Sequence, residues 1–302
     1  MSADKMHKDE ASIDSTLVQK LVASQFPEWA DLTITPVPSA GTDNALYRLG
    51  QDMVVRLPRM KRAAGQATKD FEWLPKLAPH LPLAISSPLA LGDPVEDVPW
   101  NWTICNWLPG VPPTVGEIAD EIQLAATLAG FVQTLHQIDA TSGPRPGIHN
   151  FGRGVPLAKR DSYVRAALTE LTGIIDVEAA TTEWEAALEA PIWANAPVWV
   201  HGDLQAGNIL LRDGQLEAVI DFGGLGVGDP AVDLLPAWNL FGQEAREVYR
   251  NTLEVDDATW ARGRGWALSV ALIALPYYLK TNPEIVASSH HVIEELLKSR
   301  SP

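Results

Sequence analysis

Asp203, Asn208 and Asp221 are residues whose types and spacing in this 302-residue chain could do chemistry together. They lie in the stretch from Val198 to Asp233, VWVHGDLQAGNILLRDGQLEAVIDFGGLGVGDPAVD. The apolar run Val198-Trp199-Val200 reads as a strand that delivers His201-Gly202-Asp203. Ile209 to Leu211, the dipeptide Asp213-Gly214 and Leu216 to Ile220 read as a hairpin leading back to Asp221-Phe222-Gly223. Such a hairpin puts Asn208 and Asp221 at its open end and Asp203 in the loop that enters it. Two carboxylates and a carboxamide then converge, and these oxygen donors suit Mg²⁺ with retained waters far better than zinc. Phosphoryl transfer needs this set. One Asp stays free of metal to orient a hydroxyl and accept its proton, while an Asp and an Asn hold Mg²⁺ on nucleotide phosphates. A zinc hydrolase built on His201-x-Asp203 lacks further His ligands at useful spacing.

Asp203, a four-residue gap, Asn208 and then Asp-Phe-Gly reproduce the spacing of protein kinases, with His-Gly-Asp in place of His-Arg-Asp. With that loop, and with Gly228-Asp229-Pro230-Ala231-Val232-Asp233 after it, the stretch resembles the aminoglycoside phosphotransferase and choline kinase-like family of small-molecule kinases. The resemblance extends in order over nearly the whole chain and is sharp at 198–233. It implies an α+β, two-lobed, protein-kinase-like fold: a nucleotide-binding N-lobe over 1–108 and a mostly helical C-lobe over 109–302. It also implies ATP as phosphoryl donor (GTP remaining open), Mg²⁺ held by Asn208 and Asp221, and Asp203 acting on an acceptor hydroxyl.

The elements that must position these groups are legible to different degrees. Residues 1–12 read as disordered, and Ile13 to Phe26 has a helical apolar period with Asp14 or Ser15 as cap. Leu32 to Val37, Ala45 to Leu49 and Met53 to Leu57 read as strands. The connector containing Gly41, Thr42, Asp43 and Asn44 corresponds by resemblance to the loop that covers the ATP phosphates. By itself it would be an ordinary turn, being neither a Gly-x-Gly-x-x-Gly nor a Walker A loop.

Arg56, on the third strand, stands where the family commonly has a Lys that grips the α- and β-phosphates; a solvent-facing edge residue is the alternative. In the helical segment Gly65 to Leu81, Asp70 shares a face with Leu74 and Leu77 and could pair Arg56, with Glu72 the other candidate. Leu83 to Gly92 and Trp100 to Trp107 supply further strands, and by resemblance the backbone near Cys105 and Trp107 meets adenine at the lobe linker. Pro109-Gly110 marks the boundary. Trp100, Trp102 and Trp107 read as packing rather than stacking platforms.

Glu117 to Ile138 reads as one long helix with an apolar stripe through Ile118, Ile122, Ala125, Leu128 and Val132, and with a structural His136 near its end. Ala140 to Leu157 is loop, rich in Gly and Pro. Its Arg153 could line an acceptor pocket, although a plain surface loop fits equally well. Tyr163 to Leu171, Glu178 to Ala190, Glu244 to Leu253, Asp257 to Leu279 and Pro283 to Leu297 read as helices. Asp229-Pro230 reads as a helix start, with Asp233 favoured in the first turn by the helix dipole.

Composition bounds the rest. With 46% apolar and 20% charged residues the chain is of ordinary globular type, and its net charge of −15 argues against nucleic acid or an anionic membrane as partner. The same charge tolerates a cationic small-molecule acceptor. Cys105 stands alone, so no intramolecular disulfide forms, and no apolar leader or spanning run is present. A cytoplasmic enzyme, monomeric or homodimeric, is the expectation. The acceptor expected from the resemblance is an aminoglycoside-like or other hydroxylated antibiotic. Alternatives are a metabolic kinase for a small alcohol (choline, homoserine or a sugar amine), a nucleotide-binding pseudokinase and, third, a protein kinase. The protein kinase is disfavoured by the short run from Gly223 to Asp229.

Overall fold

The computed structural model describes residues 13–38 and 43–298, so the expectations for 1–12 and for Gly41 and Thr42 lie outside the described residues. The first helix, α1 (Ser15–Gln25), starts where Asp14 accepts a hydrogen bond from the Leu17 N–H at 2.8 Å, which decides between the two cap candidates. Strands β1 (Ile34–Pro36), β2 (Asn44–Leu49), β3 (Met53–Pro58), β5 (Pro88–Gly92) and β6 (Trp102–Asn106) form an antiparallel sheet in the order β1-β2-β3-β6-β5. Helix α2 (Gln66–Leu77) packs against β5 and β6. On its other side the sheet packs with α1 around Val18, Leu21, Val55, Leu57, Trp102 and Ile104. Trp102 is fully buried and meets Phe26 edge-on, while Trp107 lies under the Arg48 guanidinium, so both serve packing.

The larger core belongs to the helices after residue 109, but it does not stop at the sheet. Leu74 and Leu77 of α2 and Ile85 of β4 (Ala84–Ile85) are part of it. β4 lies outside the five-stranded sheet and pairs in parallel with β9 (Gln215–Val219), the second strand of the expected hairpin with β8 (Ile209–Arg212). Asp213 and Gly214, both left-handed at φ 52° and 79°, close that hairpin in two residues, as an Asp-Gly turn does.

Helix α3 (Glu121–Gln137) begins four residues later than the sequence reading. Asp120 accepts from the Gln123 N–H and starts it there, leaving Ile118 in the irregular chain before it and Ile122 exposed. Helices α4 (Asp161–Glu170), α5 (Val177–Leu188), α6 (Pro236–Asn239), α7 (Gln243–Leu253), α8 (Asp257–Tyr278) and α9 (Pro283–Lys298) complete the structure. The apolar α8 is buried among α4, α5, α9 and the turn at 230–234. Among the described residues no helix is long and apolar enough to cross a membrane.

Candidate active site

The short strand β7 (Val198–Val200) pairs with β10 (Gly226–Gly228) and carries the chain into His201-Gly202-Asp203. This loop is held by the buried carboxylate of Asp233. Its Oδ2 accepts from the His201 N–H at 3.1 Å and its Oδ1 from the Gly202 N–H at 2.7 Å, and His136 Nε2 lies 3.0 Å from Oδ2. Asp233 therefore acts on the loop through side-chain bonds, beyond the dipole role read from sequence, and His136 is structural as expected. The His201 ring bonds from Nε2 to the Ile220 carbonyl and accepts the Asp203 N–H at Nδ1, which ties the loop to the open end of the hairpin.

Gly202 is required by its geometry. Its φ is +78°, and an added Cβ would meet the Gly224 carbonyl oxygen at 2.7 Å and Arg153 Cβ at 2.8 Å.

Asn208 donates from Nδ2 to the Asp203 carbonyl at 2.7 Å and to its Oδ2 at 3.2 Å, while the Asn208 carbonyl accepts from Ile220 N–H. The hairpin thus joins Asp203, Asn208 and Asp221 at its open end. Asp221 itself is left-handed, at φ 60° and ψ 72°, a conformation that costs a non-glycine residue energy and turns its carboxylate out of the strand. Asp221 Oδ1 accepts from Arg56 Nη2 at 3.1 Å, and Arg56 Nη1 lies 3.6 Å from Asp70 Oδ2.

Arg56 sits on β3 between β2 and β6, so it is not an edge residue, and its partner on the helix is Asp70. Glu72 instead pairs with Lys76 at the surface. Burial opposes the Arg56 charge, yet Asp221 and Asp70 hold the guanidinium protonated above its ordinary range. Burial raises the Asp70 carboxyl, against Lys69 and Arg56, and leaves its Oδ1 without a partner.

Three participants were not signalled by the sequence. Lys69, buried on α2, donates to the carbonyls of Phe222, Gly223 and Leu225 at 3.1, 2.7 and 3.2 Å and clamps the turn behind Asp221. Burial brings its amine down to about 8, with Asp70 and Asp221 opposing. Gln66 accepts from Asn44 Nδ2 at 3.1 Å and packs beside Gly223, linking the end of the 39–44 connector to the same turn. Asn150, fully buried, donates to the carbonyls of Arg153 and Gly224. That pins the 140–157 loop on the site, and Arg153 Nη2 reaches Asp203 Oδ1 at 3.2 Å. No period or motif marks a single Lys, Gln or Asn that acts by tying together segments far apart in sequence.

Asp203 has a carboxyl raised above its usual range, first by burial, with Arg153 opposing and Asp221 adding to the rise. The oxygen donors of Asn208 and Asp221 fit a hard divalent cation, since the Asp221 ion pair uses only Oδ1. Among the described residues no group of three or more His, Cys, Asp or Glu is placed to hold a metal ion.

Asp43 lies at the described end of the connector, where its carbonyl accepts from Arg59 N–H. Cys105 is buried in β6, opposite Val54 and Pro88, and the Trp107 N–H donates to the Asp52 carbonyl at 2.7 Å. Asp229 caps the 3₁₀ turn Pro230–Leu234 through Ala231 N–H and is also gripped by Arg262 at 2.7 and 3.2 Å, a structural role. Only Leu225 to Gly228 intervenes between the Phe222–Gly224 turn and Asp229, all of it buried, so no activation loop of the protein-kinase kind is present there.

Residues 33–266 match the family described as the phosphotransferase enzyme family, APH. No curated protein matches the chain. Among solved structures, the GDP and kanamycin complex of APH(2")-IIia superposes with a TM-score of 0.76 at 17% identity, covering 95% of this chain and 100% of that one. The gentamicin complex of APH(2")-IIa gives 0.63 at 20%, covering 96% and 97%. Macrolide 2'-phosphotransferase MphH from Brachybacterium faecium gives 0.60 at 24%, covering 95% and 98%. At these identities the likeness establishes a shared kinase-like fold.

Proposed function

This chain belongs to the phosphotransferase enzyme family, and we propose that it transfers the γ-phosphoryl group of ATP or GTP to a hydroxyl of a small molecule. The observation that carries the reading is the convergence of Asp203, Asn208 and Asp221 beside the Arg56–Asp70 pair. In the reaction the acceptor oxygen forms a bond to phosphorus, the bridging bond to the nucleoside diphosphate breaks, and the hydroxyl proton passes to Asp203. Asn208 keeps the Asp203 carboxylate oriented, and the 3.2 Å contact of its amide with Oδ2 stabilises the charged base. Arg56, steadied by Asp70, grips the phosphates. Asp43 and Asn44, at the described end of the connector, cover the phosphates, and the backbone near Cys105 and Trp107 meets the base. Asn208 and Asp221 would hold Mg²⁺, which neutralises phosphate charge when bound.

The acceptors to be tried first are hydroxylated antibiotics, since the solved relatives are named for aminoglycosides and a macrolide; choline, homoserine and sugar amines come second. A non-catalytic sensor is disfavoured because all the groups the reaction needs are assembled. The test is acceptor-dependent ADP or GDP release, with Asp203→Asn as blank. Release lost in the variant supports the enzyme and names its acceptor class. Release that survives in the variant, or failure of the wild type to bind either nucleotide, overturns the reading.

A further inference from the structure

Arg153 lies in a loop whose connection alone, from α3 to α4, would not fix its side chain. Several contacts fix it nonetheless. Asn150 Nδ2 holds the Arg153 carbonyl at 3.0 Å, the Gly154 carbonyl accepts from Asp229 N–H at 2.9 Å, and the Arg153 stem fills the space a side chain at Gly202 would need. The side chain is 13% exposed. Of its donors, Nη2 meets Asp203 Oδ1 at 3.2 Å, whereas Nε and Nη1 are buried with no partner. Unmade hydrogen bonds of a buried guanidinium are costly, so a protein that fixes one so firmly gains when something else supplies the acceptors.

The position says what that is. A hydroxyl within hydrogen-bond reach of Asp203 is beside the guanidinium that Asp203 already touches. A guanidinium donates in a planar fork and prefers oxygen, above all the charged oxygens of phosphate or carboxylate. The surroundings add positive charge. Arg160, whose charge is disfavoured first by burial and then by the nearby Arg153, has neutral partners among the described residues: the Ser269 hydroxyl at 2.8 Å and the Trp266 ring at 4.7 Å.

We infer that Arg153 is a second cation of the reaction centre, whose spare N–H groups bind an oxygen of the reacting pair, on either the transferred phosphoryl group or the acceptor beside its reactive hydroxyl. This rests on the phosphotransferase reading of Asp203 and adds to it a residue outside the 198–233 stretch.

Two measurements on Arg153→Gln and Arg153→Lys test it. The first is binding of ADP or GDP with Mg²⁺, alone and with aluminium fluoride as a phosphoryl mimic. The second is steady-state kinetics with the best acceptor. If the phosphoryl group is the ligand, Arg153→Gln binds the bare diphosphate as the wild type does but loses about tenfold or more of the affinity gained with aluminium fluoride, the scale of one bond to a charged group. If the acceptor is the ligand, its KM rises by a similar factor with kcat held. In either case Arg153→Lys, which keeps the charge and most of the stem, recovers part of the loss.

Variants of unchanged melting temperature that match the wild type in both measurements overturn the inference. If Arg153→Gln does not fold, Arg153→Lys decides: wild-type values in both measurements overturn the inference, and a loss in either supports it. The aluminium fluoride comparison needs no acceptor, so absence of turnover in the wild type would count against the phosphotransferase reading while Arg153 is still tested.

Discussion

At the scale of the residue, the site is a set of charges whose environments push them apart. As the proposed base, Asp203 must be ionised to receive a proton, but burial in the cleft raises its carboxyl above the ordinary carboxylate value of about 3.9. A base works in its deprotonated form, so kcat/KM should fall as pH drops through this raised value, giving an acid limb above the usual carboxylate range. Asp203→Asn should cost about 10²–10⁴-fold in kcat, the usual contribution of a general base, with nucleotide affinity nearly unchanged. A pH–rate profile and a nucleotide titration check both, and a variant with substantial turnover refutes the assignment. Types and spacing made Asp203, Asn208 and Asp221 legible because they are close in sequence. Asp70 was legible as one of two candidates because a helical face orders residues at known intervals. Lys69 was not, because its partners are carbonyls about 150 residues away that no local pattern announces.

At the scale of the element, a loop as irregular as the proposed catalytic one needs an anchor, and Asp233 supplies it. Its carboxylate takes two consecutive N–H groups of the loop, and its own carbonyl accepts the buried Tyr249 hydroxyl at 2.8 Å. Asp233→Ala should lower stability by roughly 1.5–3 kcal/mol per charge-assisted bond lost, and should lower kcat more than it weakens nucleotide binding. Denaturant unfolding with kinetics at a temperature where the variant is folded would show this; equal losses in binding and turnover would mean the anchor serves the whole cleft. The hairpin from Ile209 to Val219 was readable because Asp213-Gly214 accepts left-handed backbone at both positions. The start of α3 was misread because the apolar stripe continues upstream of the residue that caps it, and a cap outweighs a stripe in deciding where a helix begins. The 140–157 loop was rightly read as irregular. What it does was not, since its order comes from Asn150 bonding across to Gly224.

At the scale of the molecule, the sheet and the helical part have separate cores, yet the site is assembled from both. Arg56 is contributed by β3, Asp70 and Lys69 by α2, and Asp221 by the far hairpin, while β4 crosses to pair with β9. A ligand bridging these groups stabilises the folded chain by mass action, about 2.7 kcal/mol at a hundred times its Kd. The Mg-dependent part of that gain should pass through Asp221, the residue that meets Arg56 and is proposed as a metal ligand. Melting curves with saturating ATP or GTP should therefore rise on adding Mg²⁺ in the wild type and fall back with EDTA. In Asp221→Ala the Mg²⁺ increment should vanish while any metal-free nucleotide increment persists, because Arg56 keeps Asp70 and its hold on phosphate. An intact Mg²⁺ increment in the variant would move the metal away from Asp221. Loss of both increments would mean that the Arg56–Asp221 pair, rather than the metal, organises the nucleotide side of the cleft.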